Sequence, residues 1–321
     1  MNTAAKAGIF AGGLVVVFGG AYGVGNAVGP ESADPEPSAH GGHSEEGDAQ
    51  AGHGGHEGEA AAGAAAGGLQ VSEGGYTLDL RTDRLQAGKA GELEFAILDA
   101  KGRPVTAYEV EHEKELHLIL ASRDLSTYRH VHPTRAADGT WSIGVNLPTA
   151  GDYRVFADFK PAAKGAQDLT LGADLAVGGA YNPAGLPEPA ATATVDGYTV
   201  TLDGGLASGA GQELTFKVEK NGKPVTDLQP YLGAYGHLVA LRTGDLAYLH
   251  VHPNGEPGDG STKPGPGVSF SATAPSEGAY RLYLDFKHDG VVRTAAFTVN
   301  TGQEAPAAQE EEHEDGGDHS H

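Results

Sequence analysis

The sequence predicts an all-β protein with two tandem immunoglobulin-like β-sandwich domains. Short runs in which apolar and polar residues alternate, such as ELEFAIL, TWSIGVN and DYRVFADF, are separated by turn residues. Glycine and proline are frequent, at 50 and 18 of 321 residues, and no apolar run of helical period follows residue 30. About seven such strands in roughly a hundred residues are typical of an immunoglobulin-like sandwich.

The strand pattern occurs twice, which indicates a duplicated domain. GYTL at Gly75 matches GYTV at Gly197, and GRPVT at Gly102 matches GKPVT at Gly222. DYRVFADF in the first half corresponds to AYRLYLDF in the second. We place the domains at residues 69–178 and 190–300, joined by the connector NPAGLPEP.

The ends of the chain have a different composition from the two domains. Within residues 1–28, Lys6 precedes an uncharged apolar stretch from about Ala7 to Val28, which predicts a hydrophobic helix acting as a signal peptide or a signal-anchor. Residues 29–68, rich in His, acids, Gly and Ala, and the acidic, His-containing tail at 301–321 are predicted to be disordered. The charge asymmetry around the apolar stretch predicts an extracytoplasmic body, secreted or membrane-anchored through the N-terminal segment.

Charge and cysteine content restrict the function. The formal net charge is −22, so nucleic acid is not an expected partner, whereas cations are. The chain has no Cys and its one Met is the initiator, which excludes thiolate and thioether metal sites.

A histidine pattern is repeated in both domains. HLILASRDLSTYRHVHP and HLVALRTGDLAYLHVHP each contain a His followed thirteen residues later by His-Val-His-Pro. In a strand, residues i and i+2 face the same side, and a hairpin brings the earlier His beside them. We therefore predict one metal site per domain, with these ligands: His117, His130 and His132, then His237, His250 and His252.

A fourth ligand is expected from the Asp on the strand that contains YRVFADF or YRLYLDF. Asp158 lies on the face opposite Tyr153 and Phe159, and Asp285 lies on the face opposite Tyr280 and Phe286. Each is predicted either to coordinate the ion or to orient an imidazole through its other nitrogen. His112 and His288 have no counterpart in the other domain and are predicted to be surface residues.

Three imidazoles without sulfur favour Cu(II) or Zn(II) as the bound metal. EKELHLILASRDLSTYRHVHP and its second copy resemble a family of secreted or membrane-anchored bacterial heavy-metal-binding proteins that are otherwise described as hypothetical. The resemblance covers residues 70–300 and implies a role in handling copper or another heavy metal outside the cytoplasm. The sequence is more loosely similar to small periplasmic copper carriers of immunoglobulin-like fold, whose N-terminal His ligand has no match here.

The main hypothesis is therefore a metal buffer or carrier without catalytic activity, with a membrane metal transporter as a further partner. One alternative is a copper-dependent redox enzyme resembling superoxide dismutase, although the later His ligands and the disulfide of that family are missing. The other alternative is a pair of adhesion-type sandwich domains that bind no metal.

Overall fold

The computed structural model describes residues 66–249 and 251–302, all within one compact unit. These residues form β-strands without any α-helix, which confirms the predicted fold class. The described part of the chain has no helix with the length and apolar character needed to span a bilayer. The predicted N-terminal helix at residues 1–28 lies outside the described residues, as do nearly all of the predicted linker and the acidic tail.

The first domain contains ten strands. They are β1 (Ser72–Glu73), β2 (Tyr76–Leu80), β3 (Arg84–Gln86), β4 (Ala90–Leu98), β5 (Leu116–Ser122), β6 (Tyr128–Val131), β7 (Thr134–Arg135), β8 (Thr140–Asn146), β9 (Gly151–Phe159) and β10 (Leu169–Gly178). One sheet has the order β1-β2-β4-β8-β7 and the other β3-β10-β9-β5-β6. All pairs are antiparallel except β3 with β10.

The second domain also contains ten strands. They are β11 (Thr192–Val195), β12 (Tyr198–Asp203), β13 (Gln212–Lys220), β14 (Lys223–Pro224), β15 (Gly236–Arg242), β16 (Tyr248–Leu249), β17 (His252–Pro253), β18 (Gly267–Ala272), β19 (Ala279–His288) and β20 (Val291–Asn300). Its sheets have the orders β11-β12-β13-β18-β17, with β14 beside β13, and β16-β15-β19-β20. Strands β5, β6, β9 and β10 therefore correspond to β15, β16, β19 and β20.

Each domain has its own apolar core between its two sheets. Both domains also have a tyrosine corner, a feature of immunoglobulin-like sandwiches in which a Tyr hydroxyl bonds to the backbone a few residues upstream. The Tyr153 hydroxyl donates to the carbonyl of Thr149 at 3.0 Å, and the Tyr280 hydroxyl donates to the carbonyl of Ser276 at 2.9 Å. The equivalent corners show that the two domains fold in the same way.

Strands β5 and β15 are buried on both faces, because the two domains pack against each other there. Leu118 and Leu120 on β5 belong to the core of the first domain, whereas Ile119 and Ala121 point to the second domain. The apolar cluster between the domains contains Ile119, Ala121, Leu125, Tyr128 and Phe156 from the first domain and Val239, Leu241, Leu246, Tyr248 and Tyr283 from the second. The alternation of side chains in a strand therefore also directs His117 and His237 towards this interface.

Aromatic contacts and a short segment before β1 complete the interface. The rings of Tyr128 and Tyr283 stack with their centroids 4.0 Å apart. The ring centroids of Phe156 and Tyr248 lie 5.6 Å apart. Gly67, which the sequence assigns to the disordered linker, accepts a backbone hydrogen bond from Tyr248 at 2.9 Å. Gly68 lies against the Phe156 ring with φ of 73°, so a side chain at this position would clash with the ring.

Candidate metal centre

The β5–β6 hairpin brings the first histidine triplet together. β5 pairs antiparallel with β6 in a register that places Ile119 opposite His130 and Leu118 opposite Val131. His117 and His132 are one residue beyond the last of these pairs, at the open end of the hairpin. Strand β6 ends at Val131, two residues before Pro133, which has no backbone N–H for further pairing. The three rings therefore meet at one end of the sheet.

A tight turn before β5 fixes the orientation of the His117 ring. The backbones of Glu111 and Lys114 bond to each other across two residues of positive φ, as in the two-residue turns of β-hairpins. The carbonyl of Glu111 lies 3.2 Å from Nε2 of His117. A carbonyl only accepts, so this Nε2 carries the proton and Nδ1 of the neutral ring is left unprotonated.

The imidazole nitrogens of the triplet converge on one point. Nδ1 of His117 lies 3.1 Å from Nε2 of His130 and 3.2 Å from Nε2 of His132. One nitrogen from each of these rings lies within 4.8 Å of the nitrogens from the other two. Among the described residues, these three histidines form the group whose ligand atoms lie close enough together to hold a metal ion. Neither Asp158 nor Asp285 belongs to that group.

The rings of His117 and His132 lie in surroundings that favour their uncharged form. Burial, followed by repulsion from His130, lowers the pKa of His117 from 6.5 to about 4. Burial, with smaller contributions from His130 and His117, lowers the pKa of His132 to about 3. Neutral imidazole is the form that binds metal. These rings are therefore ready to coordinate an ion at neutral pH without first losing a proton.

Asp285 reaches the triplet from the second domain. Its Oδ2 lies 3.0 Å from Nδ1 of His130, and both side chains are about 5% exposed or less. Since the carboxylate accepts, Nδ1 of His130 donates to it, and Nε2 of the same ring faces Nδ1 of His117. Asp285 therefore has the orienting position that the sequence offered as an alternative to coordination.

Asp158 has the corresponding position in the first domain but a different donor. It is the cross-strand neighbour of His117, as Asp285 is of His237. Its carboxylate accepts from the Thr170 hydroxyl at 3.0 Å and from the Tyr248 hydroxyl of the second domain at 3.4 Å. Coordination by Asp158 remains a prediction.

Part of the second triplet can be placed. His237 has the same setting as His117, since its Nε2 lies 2.9 Å from the carbonyl of Tyr231 in an equivalent tight turn. Its ring centroid is 6.3 Å from that of His130 and 6.5 Å from that of His117. His250 lies outside the described residues, and only the backbone of His252 is described, so the second site remains a prediction.

The two histidines that we predicted at the surface are placed differently by the structure. His288 is buried, with Nδ1 2.7 Å from the Tyr198 hydroxyl and Nε2 3.0 Å from Asp227, because its strand turns it inward. His112 is half-buried at the tight turn before β5, and its ring lies 5.3 Å from that of His237. No sequence pattern indicates the position of His112, because the second copy of the repeat has no counterpart to it.

The separations of the His117 nitrogen from the other two rings suit a divalent transition metal. Tetrahedral coordination with metal–nitrogen bonds of about 2.0–2.1 Å requires nitrogens about 3.3 Å apart. The two measured separations, 3.1 and 3.2 Å, are close to that value. Three imidazole nitrogens suit Cu(II) or Zn(II) and do not suit calcium or magnesium, which prefer oxygen.

Comparison with known sequences matches the chain to one protein family. A family model described as a domain of unknown function, DUF8832, matches residues 70–170 and again residues 193–303. The two matches show the duplication independently of the histidines. Comparison with curated proteins gives no match.

Several solved structures are similar to the chain at low sequence identity and low TM-score. The Escherichia coli adhesin FdeC is 19% identical over 72% of this chain and 65% of its own, with a TM-score of 0.22. The Yersinia pseudotuberculosis adhesin InvE is 13% identical over 70% and 58%, also with a TM-score of 0.22. Invasin, a bacterial integrin-binding protein, is 16% identical over 70% and 39%, with a TM-score of 0.20. The chain spans less than two thirds of the length of each of these structures.

Proposed function

The chain belongs to this family of duplicated domains, and we propose that it is an extracytoplasmic metal-binding protein that buffers or carries Cu(II) or Zn(II). In this proposal, His117, His130 and His132 hold one ion by their imidazole nitrogens. The protein acts as a binding module and not as an enzyme. Its N-terminal apolar segment directs it out of the cytoplasm, where it exchanges metal with a membrane transporter.

The observation that carries the proposal is the convergence of three imidazole nitrogens. Nδ1 of His117 lies 3.1 Å from Nε2 of His130 and 3.2 Å from Nε2 of His132. The opposite nitrogens of His117 and His130 are already bonded, to the Glu111 carbonyl and to the Asp285 carboxylate. The low pKa of His117, about 4, keeps its ring neutral at neutral pH, so that its Nδ1 offers a lone pair. A metal ion between the converging nitrogens would accept their lone pairs.

The charges around the rings also favour a cation. Asp285 is 2% exposed and Asp158 is 7% exposed, and both face the interface beside the triplet. A buried carboxylate is stabilised by a nearby positive charge. A divalent ion held by the triplet would supply that charge without adding a further buried side chain.

Metal titration of the full chain tests the proposal. Purified protein is stripped with a chelator and titrated calorimetrically with Cu(II) or Zn(II) in a competing buffer. We expect tight binding, with Kd well below micromolar, and loss of one tight equivalent in the double variant His130→Ala/His132→Ala. A control variant replaces the three histidines of the acidic tail, His313, His319 and His321, and should retain every tight equivalent.

Two results would contradict this proposal. Binding no tighter than micromolar in the wild-type protein would exclude a dedicated site. Unchanged stoichiometry in the double variant would place the tight ion elsewhere. For a Cu(II)-loaded sample, nitrogen hyperfine structure in the electron paramagnetic resonance spectrum provides a second check, since the three rings should each contribute one nitrogen.

A second candidate function is adhesion by a pair of sandwich domains without metal. The solved structures of similar fold include adhesins, and their descriptions agree with this alternative better than with metal binding. The likeness is one of fold alone. If the titration shows no tight metal and the protein binds a surface or receptor with its histidines replaced, this candidate stands in place of the first.

A further inference from the structure

We infer that Asp285 of the second domain positions a metal ligand of the first domain, so that ion binding at His117, His130 and His132 fastens the two domains together. The inference rests on the proposed function and adds to it a residue from the other half of the chain. The sequence repeat predicts a metal site built within one domain, whereas this inference makes the site depend on both domains.

The contact between His130 and Asp285 has the geometry of an orienting hydrogen bond. Nδ1 of His130 donates to Oδ2 of Asp285 at 3.0 Å, while Nε2 of the same ring faces His117. A metal-binding imidazole commonly donates its other N–H to a carboxylate, which fixes the ring and makes it a stronger ligand. Asp285 is the residue that does so here, although 155 positions separate it from His130 in sequence.

Asp285 is itself held firmly in the second domain. It lies in the middle of β19, paired with His237 on β15 and with Thr294 on β20. Its Oδ1 accepts from the Thr294 hydroxyl at 2.5 Å. The carboxylate therefore cannot follow the His130 ring if the domains separate, and the ring keeps its orientation only while the interface is closed.

A second hydrogen bond between the domains supplies a control. The Tyr283 hydroxyl of the second domain donates to the carbonyl of Leu125 in the first domain at 2.8 Å. Leu125 lies in the turn between β5 and β6, at the opposite end of the hairpin from the triplet. Loss of this bond weakens the interface without changing a predicted metal ligand, a partner of such a ligand or a charge.

Ion binding and closure of the domain interface are coupled, and thermodynamic reciprocity applies to this coupling. If the closed interface strengthens ion binding through Asp285, the ion strengthens the closed interface by the same factor. Loss of a carboxylate that orients a metal-binding imidazole typically costs about 10–100-fold in metal affinity. A bound ion should therefore favour the closed arrangement of the domains by a comparable factor.

The decisive experiment measures Cu(II) affinity by chelator competition in the full chain and in Asp285→Asn, Tyr283→Phe and His130→Gln. We expect affinity about 10–100-fold weaker in Asp285→Asn and within about threefold of wild type in Tyr283→Phe. In the His130→Gln background, Asp285→Asn should cause no further loss, because the carboxylate acts through that ring. Electron spin-echo modulation of Cu(II), which senses hydrogen bonding at the remote imidazole nitrogen, should change in Asp285→Asn alone.

The outcomes separate this inference from the proposed function. If the wild type binds no tight ion, the proposed function fails. If the wild type binds tightly and Asp285→Asn binds equally well, or if the two substitutions are additive, only the inference is overturned. Hydrogen exchange of the wild-type protein does not depend on any variant folding: one equivalent of Zn(II) should protect amides of β19, and unchanged exchange there would also overturn the inference.

Discussion

The buried histidines predict how the stability of the metal-free protein depends on pH. Burial, and then repulsion from His130 and His112, lowers the pKa of His237 from 6.5 to about 4. Between about pH 4 and pH 6.5, this ring is protonated in the unfolded chain and unprotonated in the folded protein. Stability from this group is therefore fully present above pH 6.5 and is lost as the pH falls through 6.5 towards 4.

The size of the effect follows from the shift. One pKa unit corresponds to about 1.4 kcal/mol, so a ring with these two pKa values costs about 2 kcal/mol of unfolding free energy between pH 7 and pH 5. Carboxylates with lowered pKa, such as Asp124 and Asp259, contribute mainly below pH 4 and do not obscure this window. The buried His117 adds to the same trend.

Chemical denaturation with excess chelator, at pH 7 and pH 5, measures the effect. The variant His237→Gln keeps a polar side chain that does not titrate, and it should reduce the loss of stability between the two pH values by about 2 kcal/mol relative to wild type. His237 is chosen for replacement because its ring is buried and its pKa is lowered in the folded protein. Equal pH dependence in the two proteins would refute the reasoning, since it would mean that this ring titrates normally in the folded state.

Other predictions concern the interface and the ion. Leu241→Ala, in the apolar cluster between the domains, should lower the unfolding free energy by about 2–5 kcal/mol, measured by urea denaturation. Tyr283→Phe removes the hydroxyl that donates to the Leu125 carbonyl at 2.8 Å and should cost about 1 kcal/mol in the same assay; no measurable cost would indicate that this bond does not form in solution. Gly68→Ala should be destabilising, because the added methyl group meets the Phe156 ring, whereas Gly88→Ala at a similarly positive φ with open space should cost less. Zn(II) at about 100 times its Kd should stabilise the folded protein by about 2.7 kcal/mol, and a chelator should abolish the gain in a thermal scan.

Much of the fold follows from periodicity and duplication. The runs ELEFAIL, TWSIGVN and DYRVFADF, which the sequence predicts as strands, lie in β4, β8 and β9 of the structure. β10 (Leu169–Gly178) is harder to recognise, because its alternation is interrupted by Gly172, where the backbone of Gly68 approaches too closely for a side chain. Sequence patterns indicate which face of a strand is apolar. They do not indicate a position at which a close backbone contact leaves space only for glycine.

The hairpin and the first triplet were predictable for a related reason. A period of two and a thirteen-residue gap, with a turn at Asp124, determine which histidines share one end of the β5–β6 hairpin. The proton positions were not predictable, since they depend on a backbone carbonyl of Glu111 and on a carboxylate from the other domain. These partners come from segments whose sequence contains no sign of the contact.

The sequence by itself determined the β-sandwich class, the duplication and the grouping of His117, His130 and His132, because local periodicity and strand pairing depend on near neighbours along the chain. Only the tertiary structure decided that the two domains bury β5 and β15 against each other. It also decided that Asp285 of the second domain completes the setting of His130 in the first. Packing between domains depends on the shape of whole faces, and no short stretch of residues specifies it.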